Sequence, residues 1–455
     1  MIPLAWREKR AGVIAPDERL PWGSTTAIGV QHVLAMFGST VVAPLVMGFS
    51  PNLAIFFSGI GTILFFFLVR GRIPSYLGSS FAFIGPVAAV IGSPTQGTLN
   101  AATIPQALGG IIVAGLLYAI IGGIVQVTGS GWIDALMPPM VTGSVVMIIG
   151  LNLAPAAKGL VQQGPVLAII TLLSVLVIAL FTRGLASRLP ILLGSGASYL
   201  AALVLGGTSP AGRSYGIVHV QGVDLSKVGS AAWFGLPQFV GPSFDLHAIS
   251  LIAPVFIVLI AENTGHIKAV EAMTERPLMP YLGRAFIGDG LATMIAGFGG
   301  GTGVTTYAEN IGVMAMTRVY SSAIFIIAAL AAILLGLCPK FGALVGSIPN
   351  GVIGGVATVL FGLIAVTGAR IWVENGVDFS CGINLFIAGT MLIMGAADYT
   401  LSLGSFALGG IGVGTFGVII LYQVFKRAEN RVEESTEMSE GEEQSSSTTP
   451  RGPGP

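Results

Sequence analysis

Charge is the scarcest ingredient of this 455-residue chain. Asp, Glu, Lys and Arg together make up 9% of it, against about 25% in a soluble globular domain. That excludes a soluble enzyme, and with it a nucleic-acid-binding module, which needs clustered surface Lys and Arg. Cysteine is almost absent. Cys338 and Cys381 imply neither a disulfide framework nor a CxxC-type metal site. Nucleotide-binding signatures are missing as well: there is no GxxxxGK[ST] stretch and no strand–turn–helix context for a dinucleotide fingerprint. No nucleophile–base set stands out, so the chain does not read as an enzyme. The N-terminus carries Arg7, Lys9, Arg10 and Arg19 without a short apolar run and cleavage site, so no cleaved signal peptide is expected.

What is present in quantity is apolar: 53% hydrophobic residues, mean hydropathy +0.85 and 65 glycines. Apolar runs of spanning or near-spanning length fall near 28–47, 51–69, 76–92, 107–127, 135–154, 165–182, 190–206, 248–267, 286–300, 306–317, 320–338, 350–367, 380–396 and 403–425. The fold class expected is an all-α polytopic membrane protein with fourteen transmembrane segments. Two of them, 76–92 and 306–317, are short and interrupted. With both termini in the cytoplasm, 17 of the 21 Lys and Arg fall on the inside. Only Lys158, Arg213, Lys227 and Lys340 fall outside, the asymmetry that sets orientation.

The two halves resemble each other. Gly59-Ile-Gly61 recurs as Gly288-Asp-Gly290, an offset of 229. Pro138, Val141, Gly143 and Val145 recur as Pro349, Val352, Gly354 and Val356, an offset of 211. The difference fits extra loop in the first half, within Gly92–Gln106. Seven spans per half is odd, so the repeats must be inverted. Residues 207–247 read as a long, ordered outside loop. After Arg431 the chain is acidic and of low complexity, without the apolar content to fold.

One stretch organises the rest: Gly297–Arg318, GFGGGTGVTTYAENIGVMAMTR. Its glycines cannot hold a stable helix interior, yet it lies at membrane depth. Broken backbone is tolerated there only where protein or a water-filled cavity satisfies it. A broken segment leading into a half-helix, with Tyr307, Ala308, Glu309 and Asn310 at the junction, is what a midplane transporter site needs. A glycine-rich packing face would explain the glycines but not Glu309, because carboxylates inside a membrane are costly and mark sites.

Glu262 in LIAENTGHIKA marks a site on the same ground, with His266 one turn on. The pair also reads as a satisfied buried polar face. A metal site is not expected, since no second Glu-x-x-His element accompanies it. His32 reads as a hydrogen-bonded structural residue more readily than as a ligand. Asp289 is a relay acid or a helix cap. Phe81, in the first broken segment opposite Glu309 in the repeat, is core filler or an aromatic face for a flat ligand.

These residues together resemble one family. Glu309-Asn310-x-Gly312-x-x-x-x-Thr317-Arg318 is similar to the signature of the nucleobase–ascorbate transporters, also called nucleobase cation symporter-2. Gln31-His32 resembles its first-span motif, Glu262-x-x-x-His266 its eighth-span site, and YLGSSFAF around Phe81 its uracil permeases. VIAPDERLP, AENTGHIKAV and TTYAENIGVMA look closest to its permeases of pyrimidine degradation.

The resemblance covers about residues 24–425. It implies a 7+7 inverted repeat with a core domain (24–130 and 248–341) and a gate domain (131–207 and 342–426) that dimerises. These lie between a cytoplasmic segment 1–23, an extracytoplasmic loop 208–247 and a disordered tail 427–455. It implies proton-coupled uptake of uracil across a bacterial-type cytoplasmic membrane, with H⁺ as coupling ion and no other cofactor. Glu262 and Glu309 would hydrogen-bond the base beside Phe81, Tyr307, Ala308 and Phe361. His266, His32, Asp289 and Asn310 would complete a polar network. Ala308 stands where the uracil permeases carry Gly, and Phe361 where they carry Tyr. A xanthine- or uric-acid-type purine permease, or an anion transporter on the same fold, are the alternatives.

Overall fold

The computed structural model describes residues 5–92, 99–184, 186–404 and 406–447. Part of the first-half loop and the last eight residues of the tail lie outside this range. Principal helices of the first half are α1 (Trp22–Met47), α2 (Pro51–Leu68), α3 (Ile84–Ile91), α4 (Ile104–Thr128), α5 (Pro139–Asn152), α6 (Pro165–Phe181) and α7 (Pro190–Ala201). Those of the second are α8 (Val255–Thr274), α9 (Leu282–Gly299), α10 (Ala308–Thr317), α11 (Ser322–Gly336), α12 (Asn350–Glu374), α13 (Gly382–Ala396) and α14 (Gly410–Ser447). Proline punctuates the starts: Pro51, Pro139, Pro165 and Pro190 each take a first helical position, where the missing N–H costs nothing. Gly48 and Gly300 end α1 and α9 in the left-handed conformation.

The helices follow the order of the fourteen apolar runs, but their lengths differ. Among the described residues seven helices are long and apolar enough to cross a membrane. The count is eight if the bent pair Ser322–Gly336 and Pro339–Gly346, at 81°, is one span. Shorter apolar helices stand at Phe81–Ile91, Pro165–Phe181, Pro190–Gly206 and Gly382–Ala396. The two interrupted segments are the broken ones expected: each is a three-residue strand running into a short helix. Strand β1 (Leu77–Ser79) precedes α3, and β2 (Val304–Thr306) precedes α10. They pair antiparallel with Gly78 opposite Thr305.

The packing is symmetric when the halves are exchanged. Helix α4 packs on α9, and its counterpart α11 on α2. Likewise α6 packs on α7 as α13 does on α14, and α5 on α13 as α12 does on α6. The pairs α2–α9 and α5–α12 are their own counterparts. Hydrogen bonding repeats the symmetry. Thr62 of α2 receives the Leu77 N–H at 2.9 Å, while its own proton goes to the Ser58 carbonyl at 2.8 Å, with the Leu77 carbonyl further off at 3.4 Å. Thr293 of α9 receives the Val304 N–H and donates to the Val304 carbonyl, at 3.1 Å each way. Each threonine thus accepts the outward N–H of a strand that has one strand neighbour among the described residues.

This geometry corrects the register of the repeat. Thr62 matches Thr293, so Gly59 matches Gly290 and not Gly288. Where α2 and α9 cross, a Cβ on Gly61 would lie 3.0 Å from that of Ala292. Two glycines in each motif made the two-residue shift invisible in sequence.

Residues 207–247 are ordered as expected, with a hairpin of Arg213–Tyr215 and Val218–Val220 and a short helix at Ser226–Ser230. The acidic tail differs from expectation: α14 continues to Ser447. Glu, Met and Gln are good helix formers, and extending an existing helix avoids the cost of nucleation.

Candidate functional site

Both broken segments meet at the centre. β1 is followed by Ser80, whose side chain accepts from the Ala82 N–H and starts a single 3₁₀ turn, Phe81–Phe83. β2 is followed by Tyr307, and α10 begins at Ala308. Ser79 and Thr302 share a hydroxyl hydrogen bond of 2.6 Å across the pair, and the Ser80 N–H donates to the Gly303 carbonyl at 2.9 Å. Glycine is needed at two places here. A Cβ on Gly78 would run into the Tyr307 ring, and one on Gly303 into the Phe83 ring.

Glu309 sits in the first turn of α10, where the helix dipole favours a carboxylate. It is half-buried and accepts from the hydroxyl of Ser39 on α1. Ala308 beside it is exposed. Glu262 lies on α8, which packs against both α10 and the Phe81 turn. It is also half-buried, yet its Oε2 is shielded from solvent and has no hydrogen-bond partner among the described residues. The two carboxylates are within electrostatic reach of each other. Phe81 is buried and meets Phe361 of α12 edge-on, ring centroids 5.7 Å apart at 80°. The structure therefore brings together Glu262, Glu309, Phe81 and Phe361, from four different elements.

Behind them runs a directed chain. The Thr306 hydroxyl donates to Asn263 Oδ1 at 3.2 Å, so its oxygen accepts from His266 Nδ1 at 2.9 Å. That assigns the Nδ1–H form to a neutral His266. Asn263 Nδ2 donates in turn to Asp289 Oδ2 and, at 2.9 Å, to the Tyr118 hydroxyl. Asp289 is fully buried, and its Oδ1 has no hydrogen-bond partner among the described residues. It is a member of this chain, not a cap on a helix end.

The remaining residues are placed further back. His32 is fully buried, bonded through Nδ1 to Asn310 Nδ2 at 3.0 Å and edge-on to Phe325. It orients α10 from α1. The Tyr307 hydroxyl donates to the Ser79 carbonyl at 3.0 Å and accepts from Thr40 at 3.3 Å, which commits it to the strand pair. Ser39, Asn263, Thr306 and Tyr118 escaped the sequence reading. Only Asn263, next to Glu262, carried a signal there; Ser39 is one hydroxyl among many in apolar runs. No group of His, Cys, Asp and Glu among the described residues could hold a metal ion.

Known proteins bear on this geometry. A family model described as Permease family (Xan_ur_permease) matches residues 23–404. The putative pyrimidine permease RutG of Escherichia coli (strain K12) is 54% identical over 420 residues, 92% of this chain and 93% of that protein. The uracil permease of Bacillus caldolyticus is 37% identical, covering 93% of this chain and 98% of its own. Two solved structures share the fold at low identity. One is the transmembrane domain of the cyanobacterium bicarbonate transporter BicA (TM-score 0.59, 15% identity, 87% of this chain and 97% of that one). The other is the murine anion transporter Slc26a9 in its inward-facing state (TM-score 0.63, 9% identity, 89% of this chain and 68% of that one). Family match, relatives and fold agree with the motifs: the chain belongs to the permease family of the nucleobase–ascorbate transporters and is a multi-pass membrane permease, not an enzyme.

Proposed function

We propose that this permease imports uracil together with protons by alternating access. Helices α1–α4 and α8–α11 act as the core that carries the site, and α5–α7 and α12–α14 as the gate. The observation that carries the reading is Glu262 Oε2, buried on a helix packed against those of Glu309 and Phe81, with no partner among the described residues. A shielded carboxylate oxygen without a partner costs stability unless a ligand or proton uses it. Uracil is flat and neutral, with two ring N–H donors and two carbonyl acceptors. An ionised Glu309, steadied by Ser39 and the α10 N-terminus, accepts an N–H. Glu262 accepts when ionised and donates to a carbonyl when protonated. The edge-on Phe81–Phe361 pair offers the ring an apolar wall where core and gate meet.

The names of the relatives support a pyrimidine over a xanthine-type purine. The fold neighbours favour a second reading, anion transport, against which two acidic side chains at the site argue. Large apolar side chains exposed along α6 and α13, such as Phe181 and Phe386, suit lipid and a second gate domain in a homodimer. In proteoliposomes with an imposed inward proton gradient, labelled uracil is expected to accumulate and to bring protons with it. Accumulation of xanthine or bicarbonate in its place would overturn the reading.

A further inference from the structure

The N-terminal residues fold into a strap across one end of the helices. Arg7–Glu8 pairs in parallel with Glu18–Arg19, and Ile14 is fully buried against Val319 and Ile324. Ile14 exchanges backbone hydrogen bonds with Arg318 and Tyr320, and Ser322 bonds the Pro16 carbonyl. The strap is thus tied to the link between α10 and α11. Beneath it lies a cavity of ≈ 320 Å³ lined by Trp6, Arg7, Asp17, Arg70, Arg72 and Arg276, among others.

Four arginines from three distant stretches converge on this cavity. Two are already paired: Arg7 with Glu18 at 2.7 Å and Arg276 with Asp17 at 2.7 Å. Arg70 and Arg72 meet no carboxylate among the described residues. They flank Gly71 in a tight turn after α2, with Arg70 at φ 56° and Gly71 at φ 66°. A Cβ on Gly71 would come within 2.9 Å of the Phe66 ring, so the turn requires glycine there, and the exposed Arg70 and Arg72 on either side of it line the cavity. The positive-inside bias accounts for basic loops, but not for their convergence on one cavity from stretches about sixty and about two hundred residues apart.

We propose that this cavity binds a phosphate group between Arg70 and Arg72, as guanidinium forks do bidentately. The phosphate belongs to a soluble phosphorylated ligand or to an anionic lipid headgroup. Its place under the strap lets the occupant fasten the N-terminus to the turn after α2. The assignment does not depend on what the central site carries.

The test is thermal unfolding of the purified full-length protein in detergent. The probes are inorganic phosphate against chloride at equal ionic strength, and phosphatidylglycerol against phosphatidylcholine. One probe is expected to raise the Tm of the native chain, and the shift is expected to vanish in Arg70→Gln/Arg72→Gln. Phosphate acting alone identifies a soluble ligand; phosphatidylglycerol acting without phosphate identifies the headgroup. If the double variant does not fold, Arg72→Lys replaces it; it keeps the charge but not the fork, and is expected to retain less than half the shift. No shift with either probe, or an equal shift in native and variant protein, overturns the proposal.

Discussion

At the scale of single residues, Glu309 and Glu262 have different surroundings and should fail differently. Glu309 is held by Ser39 at a helix start. Glu309→Gln keeps the size but turns one acceptor into a donor, which opposes a ring N–H. Loss of uracil binding by isothermal titration is expected, with a monodisperse, folded protein. Near-normal binding would remove Glu309 from the site. Glu262 has the unpartnered oxygen, so Glu262→Gln is expected to keep some binding and counterflow while losing accumulation driven by a proton gradient. If proton and uracil bind together, each tightens the other. Uracil affinity should then weaken as pH rises in the native protein and be flat with pH in Glu262→Gln. Continued uphill transport by that variant would move the coupling proton to Asp289, whose Oδ1 is also unpartnered.

Among the elements, the strand pair is the fragile one. Each strand has a single neighbour, and its outer edge depends on one threonine. Thr62→Val leaves the buried Leu77 N–H unsatisfied, and Thr293→Val both the N–H and the carbonyl of Val304, at about 1–3 kcal/mol for each group. Both variants are expected to lower Tm, Thr293→Val by more, measured by differential scanning fluorimetry. Equal losses would show that the Leu77 carbonyl depends on Thr62 as well.

The N-terminal strap has its own pH dependence. Burial alone would raise the Glu18 carboxyl, but the Ala15 N–H, Arg7 and Lys9 outweigh it and hold it at about 2, below the ordinary 4.5. Because the folded value is the lower one, its contribution is present above pH 4.5 and is lost as pH falls toward 2. Limited proteolysis near Gly12 is expected to speed up in that window, and at neutral pH in Glu18→Gln.

For the whole molecule, orientation is the testable quantity. With both termini placed in the cytoplasm, basic residues would partition 17 to 4, and residues 207–247, which hydrogen-bond to helix ends as in Gly235 to Leu337 and Ser243 to Pro105, would lie on the sparsely charged side. In a chain with Cys338 and Cys381 replaced, Ser230→Cys should react with an impermeant maleimide in intact cells. Labelling only after permeabilisation would reverse the topology. Truncation after Arg431 should leave transport unchanged, since the part of α14 beyond it is polar and acidic.

The sequence by itself determined the class, the order of the helices, the two broken segments, and Glu262 and Glu309 as the residues to ask about. The physical reason is that a bilayer penalises charge and broken backbone so heavily that each exception is conspicuous. Only the tertiary structure decided how those exceptions are used. It paired β1 with β2, set the repeat by Thr62 and Thr293, and committed Tyr307 to the strands. It put His32 behind α10 and linked Asp289 to His266 through Asn263 and Thr306. These roles depend on which hydroxyl or amide lies within about 3 Å of which partner. A serine or threonine in an apolar run looks the same in sequence whether it closes on its own helix or reaches across to another.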